Sequence, residues 1–499
     1  MRLRHVRAWL GATALLATPA MAELPAGTVV EVRLLTPVSS YSSRAGTEVR
    51  ALVLGAVCPD TSIPFPTGTV ARGTVKHVRK VGLGLVYETA RIELDFRELM
   101  LPGDEKYPLE ARLVSVENAR EHVDRRGVIH GARATDSLSN RLGSRIALEA
   151  LEHPLGLFTL VFALENTVFR FPDPEITFGS GTELHLEIEG SVPVPLSGCP
   201  VEPVAPLDEP KEMQQVVNAV PYWTYSKRDG KPVDPTNLLF VGSQEELERA
   251  FAAAGWTGAR AGSAASALHA IRALVENRGY DEAPMKTLLL GGEEPEITRQ
   301  KTLNTLIKRD HLRIWKQPEQ IDGRMVWASA ATRDIGAGFS LRPFGFTHAI
   351  QDDVDLERNK VVSDLVFTGC VESSRYVDRP EVLDSSEYGQ RKRMQTDGRV
   401  AVVVLNSCET PVQAPVFADD NPVPAPAIRV VRRLALTTRN HFLRDNPAWH
   451  WSEGAYMVYR AIRTWHEQRA SIRKAQEIRA DHASLAHTHV SPGIGFAAN

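Results

Sequence analysis

One short phrase recurs through the first half of the chain and restricts that half to β-structure. Leu24-Pro25-Ala26-Gly27-Thr28-Val29 leads into Val30–Leu35, and Phe65-Pro66-Thr67-Gly68-Thr69-Val70 leads into Ala71–Val78. Phe178-Gly179-Ser180-Gly181-Thr182-Glu183-Leu184 leads into His185–Val194. Each is a turn with glycine where positive φ is tolerated, followed by residues of alternating polarity. Between them, Ile92, Leu94 and Phe96 alternate with Arg91, Glu93 and Asp95. Recurrent turn–strand phrases over this length predict a small β-barrel or sandwich.

A chain of 499 residues exceeds a single core, so two or three domains are expected. A net charge of −3 gives no footprint for bulk nucleic-acid binding. Arg2, Arg4 and Arg7 precede the short apolar run Ala8–Pro19, and Ala20-Met21-Ala22 is a small-residue cleavage pattern. Residues 1–22 therefore read as a secretory signal peptide, placing the mature protein in the periplasm or otherwise outside the cytoplasm. No cysteine follows the cleavage pattern, and the most apolar later run, Leu155–Leu164, is too short to span a bilayer. Cys58, Cys199, Cys370 and Cys408 contain no C-x-x-C pair. Structural bridges or buried thiols are the readings, and the domain-respecting pairing is Cys58–Cys199 with Cys370–Cys408.

Ser137–Glu152 and Leu155–Glu165 read as helices inserted before the last strand of the first module. This arrangement, with the Pro-x-Gly-Thr strand starts and Leu99-Met100-Leu101-Pro102-Gly103-Asp104, resembles the outer barrel of TrbI-like proteins of secretion channels. The resemblance covers roughly residues 24–195 and implies a barrel and envelope or secretion-system partners. In that family the insertion can contact the outer membrane; the simpler reading is a helix pair packed on its own barrel. Proline-rich sequence follows, giving a linker over 196–220.

The second domain is expected over 221–410. Leu238–Val241 is a buried strand after Asp234-Pro235-Thr236-Asn237, and Ser243-x-x-Glu246 is a capping box opening a helix. Ser263–Val275 is a second helix and Lys286–Leu290 another strand. Arg309–Trp315 alternates, Met325–Asp334 is a strand ending at the turn Ile335-Gly336-Ala337-Gly338, and Phe344–Ile350 is a third. Asp352-Asp353-Val354-Asp355 caps a helix towards Val361 and Leu365. Arg391–Gln395 and Arg399–Leu405 flank Thr396-Asp397-Gly398 as a hairpin. Helices and strands without a strict β-α-β rhythm predict an α+β class with an antiparallel or mixed sheet.

The ordered phrases Asp234-Pro-x-Asn-Leu-x-Phe-x-Gly, Ala254-Gly-Trp, Gln300-Lys, Arg309-x-His-x-Arg-x-Trp, Thr332-x-Asp-x-Gly, Thr347-His and Asp352-x-x-Asp355-x-Glu-Arg resemble the LssY C-terminal family over roughly residues 221–376. That family is described in connection with bacterial secretion loci and with membrane proteins carrying phosphatase-like domains. No such membrane portion accompanies these phrases, so the resemblance carries no phosphatase role.

His311 and His348 suit a general base or a metal ligand, but a strand histidine bonded to a carbonyl is the simpler reading of each. Arg313 with Asp334 could clamp an anionic group, or form a cross-strand pair with no ligand. Asp352, Asp353 and Asp355 could hold a divalent cation, or simply complement a helix N-terminus; no other cofactor is indicated. Trp315 and Trp327 could stack a ring, or fill the core, and Arg358 is a further ligand-binding candidate. No G-x-S-x-G elbow, Walker loop or H-E-x-x-H is present.

Residues 411–426 read as a Pro-rich linker and 427–499 as a basic helical tail, with Val458, Ile462 and Trp465 on one side. That face could lie on an anionic membrane or dock on the protein itself. The whole reads as an exported envelope protein with a non-catalytic binding or assembly role, linked to export. The rival reading is a hydrolase of an envelope phosphoester or glycan using His311, His348 and an aspartate.

Overall fold

The computed structural model describes residues 21–54, 68–83, 87–133, 173–195, 211–260, 263–340, 345–379, 394–409, 426–444 and isolated helical positions between 451 and 469. Most of the expected leader, the helical insertion, Cys58, Cys199 and the stretches 196–210 and 411–425 lie outside these residues. The chain divides into two compact units, Met1–Val431 and Arg432–Asn499.

In the first unit β1 (Val29–Leu34), β2 (Glu48–Val53), β3 (Val70–Arg79), β4 (Arg91–Met100), β5 (Lys106–Val116) and β6 (Glu183–Ile188) pair antiparallel in the order β3-β2-β1-β6-β5-β4. β3 also pairs with β4, which closes a six-stranded barrel. The recurring turn glycines explain how its strands start: Gly27, Gly68 and Gly181 take φ of 86°, 95° and 92°, where a side chain would be strained. At the closing seam a Cβ on Gly73 would stand 2.3 Å from the Asp95 carbonyl oxygen, so only glycine lets the strands approach. Alternate residues such as Val32, Val75, Phe96, Leu113 and Leu186 are buried.

The second sheet is mixed, consistent with the α+β class. It contains β7 (Leu238–Val241), β8 (Ile297–Lys301), β9 (Arg309–Ile321), β10 (Arg324–Ser340), β11 (Gly345–Ile350), β12 (Val371–Asp378) and β13 (Arg399–Leu405). The order is β8-β9-β10-β7-β13-β12, with β11 paired to the distal part of β10. β7 runs antiparallel to β10 and parallel to β13. Both faces of this sheet are covered. Leu238, Phe240, Leu312, Ile314 and Trp327 pack with α2 (Gln244–Ala253) and α4 (Val354–Phe367). Leu239, Val241, Trp315 and Val326 pack with α1 (Lys211–Ala219). A further helix, α3 (Ala264–Val275), and α5 (Pro426–Arg444) complete the described helices.

Several sequence expectations change. The linker expected through residue 220 ends earlier, because Met213, Val216 and Val217 form the buried stripe of α1. The Ile335–Gly338 turn is instead strand: β10 runs on to Ser340, with a register shift between Asp334 and Gly336. Of the hairpin expected around Thr396-Asp397-Gly398, residues 391–393 lie outside the described residues. Gln395 bridges Asp353, and β13 pairs with β7 and β12. Cys370 and Cys408 form a disulfide, as the domain-respecting pairing required. Ser243 caps α2 with the expected reciprocal bonds to Glu246.

The two sheets meet across charge. Arg33 of β1 and Lys360 of α4 converge on Glu183 of β6 and Asp364 of α4, joined by Lys301. Beside them Arg333 of β10 binds Asp310, Glu357 and the barrel's Glu117. Among the described residues no helix is long and apolar enough to cross a membrane.

Candidate functional site

Antiparallel pairing of β9 with β10 sorts the charged residues of this hairpin onto two faces. Register sets Arg309 opposite Asp334, Asp310 opposite Arg333 and His311 opposite Thr332. Successive residues point to opposite faces. Asp310 and Arg333 therefore share the barrel side, where Arg333 Nε donates to Asp310 at 2.9 Å. Arg309, His311, Arg313 and Asp334 share the other side and line a cavity of about 420 Å³.

That cavity has a polar floor and an apolar wall. On the floor Arg309 Nε donates to Asp334 Oδ2 at 2.9 Å, and its Nη1 to Gln300 Oε1 at 3.2 Å. Gln300 is itself fixed, its amide donating to the Ala283 carbonyl at 2.9 Å. Arg313 Nε donates to the Lys286 carbonyl at 3.0 Å, and Nη1 reaches Asp234 Oδ2 at 3.4 Å. Burial pulls the Arg313 guanidinium below its ordinary pKa, and neighbouring Arg309 adds to that while Asp234 opposes it. His311 Nε2 lies 3.1 Å from Thr332 Oγ1, and its Nδ1 lies 3.7 Å from Asp334 Oδ2. The latter is an ion-pair distance, too long for a hydrogen bond. The wall is α3, through Ala267, Ala270, Ile271 and Leu274, with Val233, Leu288, Leu306 and Ile350. Among the described lining residues there is no serine, threonine, tyrosine or cysteine.

The second half of the chain thus supplies a sheet, its register and a cavity lined by residues of the ordered phrases, among them Asp234, Arg309, His311, Arg313 and Asp334. Residues 217–400 match the family described as LssY C-terminus. The LssY C-terminus match is longer than the 221–376 stretch that carried the resemblance, and it leaves the barrel strands outside. The chain is also similar to a solved structure, ComB10 of the Com type IV secretion system of Helicobacter pylori, at 10% identity and a TM-score of 0.19. That similarity covers 35% of this chain and 92% of the other. No curated protein matches the chain.

Within the LssY-like part the remaining candidates take other positions. Arg313 does not pair with Asp334: it opposes Ala330 across the strand, and Arg309 is the cross-strand partner of Asp334. His348 pairs with Ala337, and it is Ile350 that stands opposite Asp334 and lines the cavity. The His348 side chain lies outside the described residues. Trp315 and Trp327 are buried on opposite faces of the sheet, their indole nitrogens donating to the carbonyls of Glu293 and Gly242 at 3.1 and 2.9 Å.

The acidic cap is occupied by its own helix. Asp353 caps α4 by accepting from the Asp355 amide at 3.0 Å. Asp355 accepts from Thr396 Oγ1 at 3.0 Å and meets Arg358 at 3.1 Å, while Asp352 is exposed. Burial raises the Asp355 carboxyl above its usual range, partly offset by Arg358. Among the described residues no group of three or more His, Cys, Asp or Glu gathers to hold a metal ion. Arg358 is fully buried and forks onto Asp397 at 2.7 and 3.0 Å. Sequence reasoning missed Arg309, Asp234 and Lys286 as cavity residues. Arg309 shares the parity of His311 and Arg313, and that was the available signal.

Proposed function

We propose that this is an exported cell-envelope protein with a binding or assembly role, associated with export, whose LssY-like part holds a small ligand in the cavity beside α3. The observation that carries the binding reading is the state of the cavity's carboxylates. Asp334 is bound by Arg309 and Asp234 meets Arg313, so both act as counter-ions rather than as a base or nucleophile. A cavity of about 420 Å³ with an apolar wall and a few convergent polar groups suits a small-molecule site. The leader pattern and the Cys370–Cys408 disulfide support an oxidising compartment outside the cytoplasm. Partners in this reading are envelope or secretion proteins. The second unit adds contact with an anionic lipid surface, since Trp451, Ile462 and Trp465 are exposed among arginines and Arg469 lies over Trp465.

The test is native mass spectrometry of the full chain purified from the periplasm. A small molecule should co-purify with the wild type and be lost in Ala267→Trp, which fills the cavity from an exposed helix position. Recovery of a chemically converted product after incubation would overturn the non-catalytic part. The hydrolase reading keeps one favourable observation, the 3.7 Å approach of His311 to Asp334 in the same cavity. It requires a turnover on envelope phosphoesters or glycans that vanishes in His311→Ala.

A further inference from the structure

Charge accounting around the cavity, resting on the binding reading above, points to a ligand class. The two aspartates of the lining each have an arginine, which leaves one cation over: Lys286. Its side chain is exposed and has no carboxylate partner among the described residues. The Lys286 backbone is anchored to the site, because its carbonyl accepts from Arg313 Nε at 3.0 Å. Arg313 spends Nε on that carbonyl and Nη1 on Asp234, leaving Nη2 without a partner among the described residues. The guanidinium is buried with only one carboxylate at 3.4 Å, so an arriving anion would offset a desolvation that its surroundings do not fully answer.

Among the described residues the α3 wall offers no polar group. Four α3 residues line it, and the helix keeps apolar surface open to water, with Ile271 39% and Leu268 56% exposed. Apolar surface beside an excess cation matches a molecule with a charged head and an apolar body.

We infer that the cavity binds an anionic amphiphile, its carboxylate or phosphate head on Lys286 and Arg313 Nη2 and its apolar chain along α3.

Isothermal titration calorimetry of the full chain tests this with decanoate, decyl phosphate, decylammonium and decanol, alongside acetate and inorganic phosphate as bare heads. One or both anionic amphiphiles should bind, and which of them binds tells a carboxylate head from a phosphate one. The cation, the alcohol and the bare anions should bind at least tenfold more weakly. Lys286→Gln should weaken the anionic probe about tenfold, the worth of one charge-assisted hydrogen bond. Ala267→Trp should abolish binding, with unchanged circular dichroism in both variants. Equal binding of decanol or decylammonium, an unaltered affinity in Lys286→Gln, or no binding of either anionic probe overturns the assignment. The binding reading falls separately, if nothing co-purifies with the wild-type chain that Ala267→Trp excludes.

Discussion

The ammonium of Lys360 on α4 donates to the carboxylate of Glu183 on barrel strand β6, bridging 177 residues of sequence. Both side chains are buried, and they belong to a junction in which six carboxylates (Glu31, Glu117, Glu183, Asp310, Glu357 and Asp364) meet four cations (Arg33, Lys301, Arg333 and Lys360). Removing one partner of a buried pair leaves the other charge uncompensated, which costs about 3–5 kcal/mol. Lys360→Met keeps most of the stem and deletes the charge. It should lower stability by about 3 kcal/mol in urea unfolding. A change under about 0.5 kcal/mol, the size of an ordinary surface substitution, would mean the junction does not hold the two sheets together.

Excess acid at this junction makes stability depend on pH. Burial, with Asp310 close by, pushes the Glu117 carboxyl up to about 7. Glu357 is raised well above its usual range, by burial first and then by Asp310. A carboxyl raised on folding binds a proton that the unfolded chain has already released, so its contribution is fully present below about 4.5 and is lost as pH rises to about 7. Glu183 and Asp364 act in the opposite sense. Although burial opposes it, Lys301 and Lys360 hold both carboxyls below their usual range, so their contribution is lost on acidification. Glu117→Gln removes the titrating group and should flatten the fall in melting temperature between pH 5 and pH 7, leaving the acid limb intact. An unchanged profile in that window would show that Glu117 does not titrate there.

Local chemistry was legible, and assembly was not. The glycine turns, the Ser243 capping box and the Arg309–Trp315 strand each act within a few residues, and each appears where the sequence placed it. All seven residues of that strand stretch are buried, however, and neither face is wet. Asp353 as the cap of α4 is likewise local. What depends on register was lost. Strand parity puts Arg309, His311 and Arg313 on one face, but only the pairing of β9 with β10 makes Arg309 the partner of Asp334. Along β11 the register sets Ile350 opposite Asp334 and His348 opposite Ala337, with a one-residue shift between Asp334 and Gly336. Glu183 read as an ordinary strand start, since the cations that let it be buried come from β1, β8 and α4.

The disulfide sets a third expectation. Cys370 and Cys408 tie the start of β12 to the chain just after β13, 38 residues apart, and both are buried. Closing a loop of that length restricts the unfolded chain and is worth about 4 kcal/mol before any native strain. The double variant Cys370→Ser/Cys408→Ser should therefore unfold about 2–4 kcal/mol more easily. Reductant should lower the melting temperature of the wild type by more than that of the double variant, in which the expected Cys58–Cys199 pair remains. An equal response in both would show that the bridge contributes nothing.

Asn237 tests whether one buried amide organises the cavity's surroundings. It sits where β7 begins, and its side chain imitates a strand neighbour. Its Oδ1 accepts from the Ala331 amide at 3.0 Å, and Nδ2 donates to the carbonyls of Ala331 at 3.0 Å and Val354 at 3.3 Å. One residue thus links β7 to β10 beside Thr332 and to the first residue of α4, three residues after Asp234 meets Arg313. Asn237→Ala leaves the Ala331 amide and carbonyl without this partner, each unsatisfied group costing about 1–3 kcal/mol. It also takes one donor from the Val354 carbonyl, which still accepts within α4. The expected loss is about 3 kcal/mol in urea unfolding, together with faster amide hydrogen exchange at Ala331 and the start of α4. Asn237→Asp retains the acceptor but loses the donor and adds a buried charge, so it should be at least as damaging. Should the alanine variant unfold like wild type and keep its exchange protection, water or a backbone shift satisfies those groups and Asn237 is not the link between the sheet and α4.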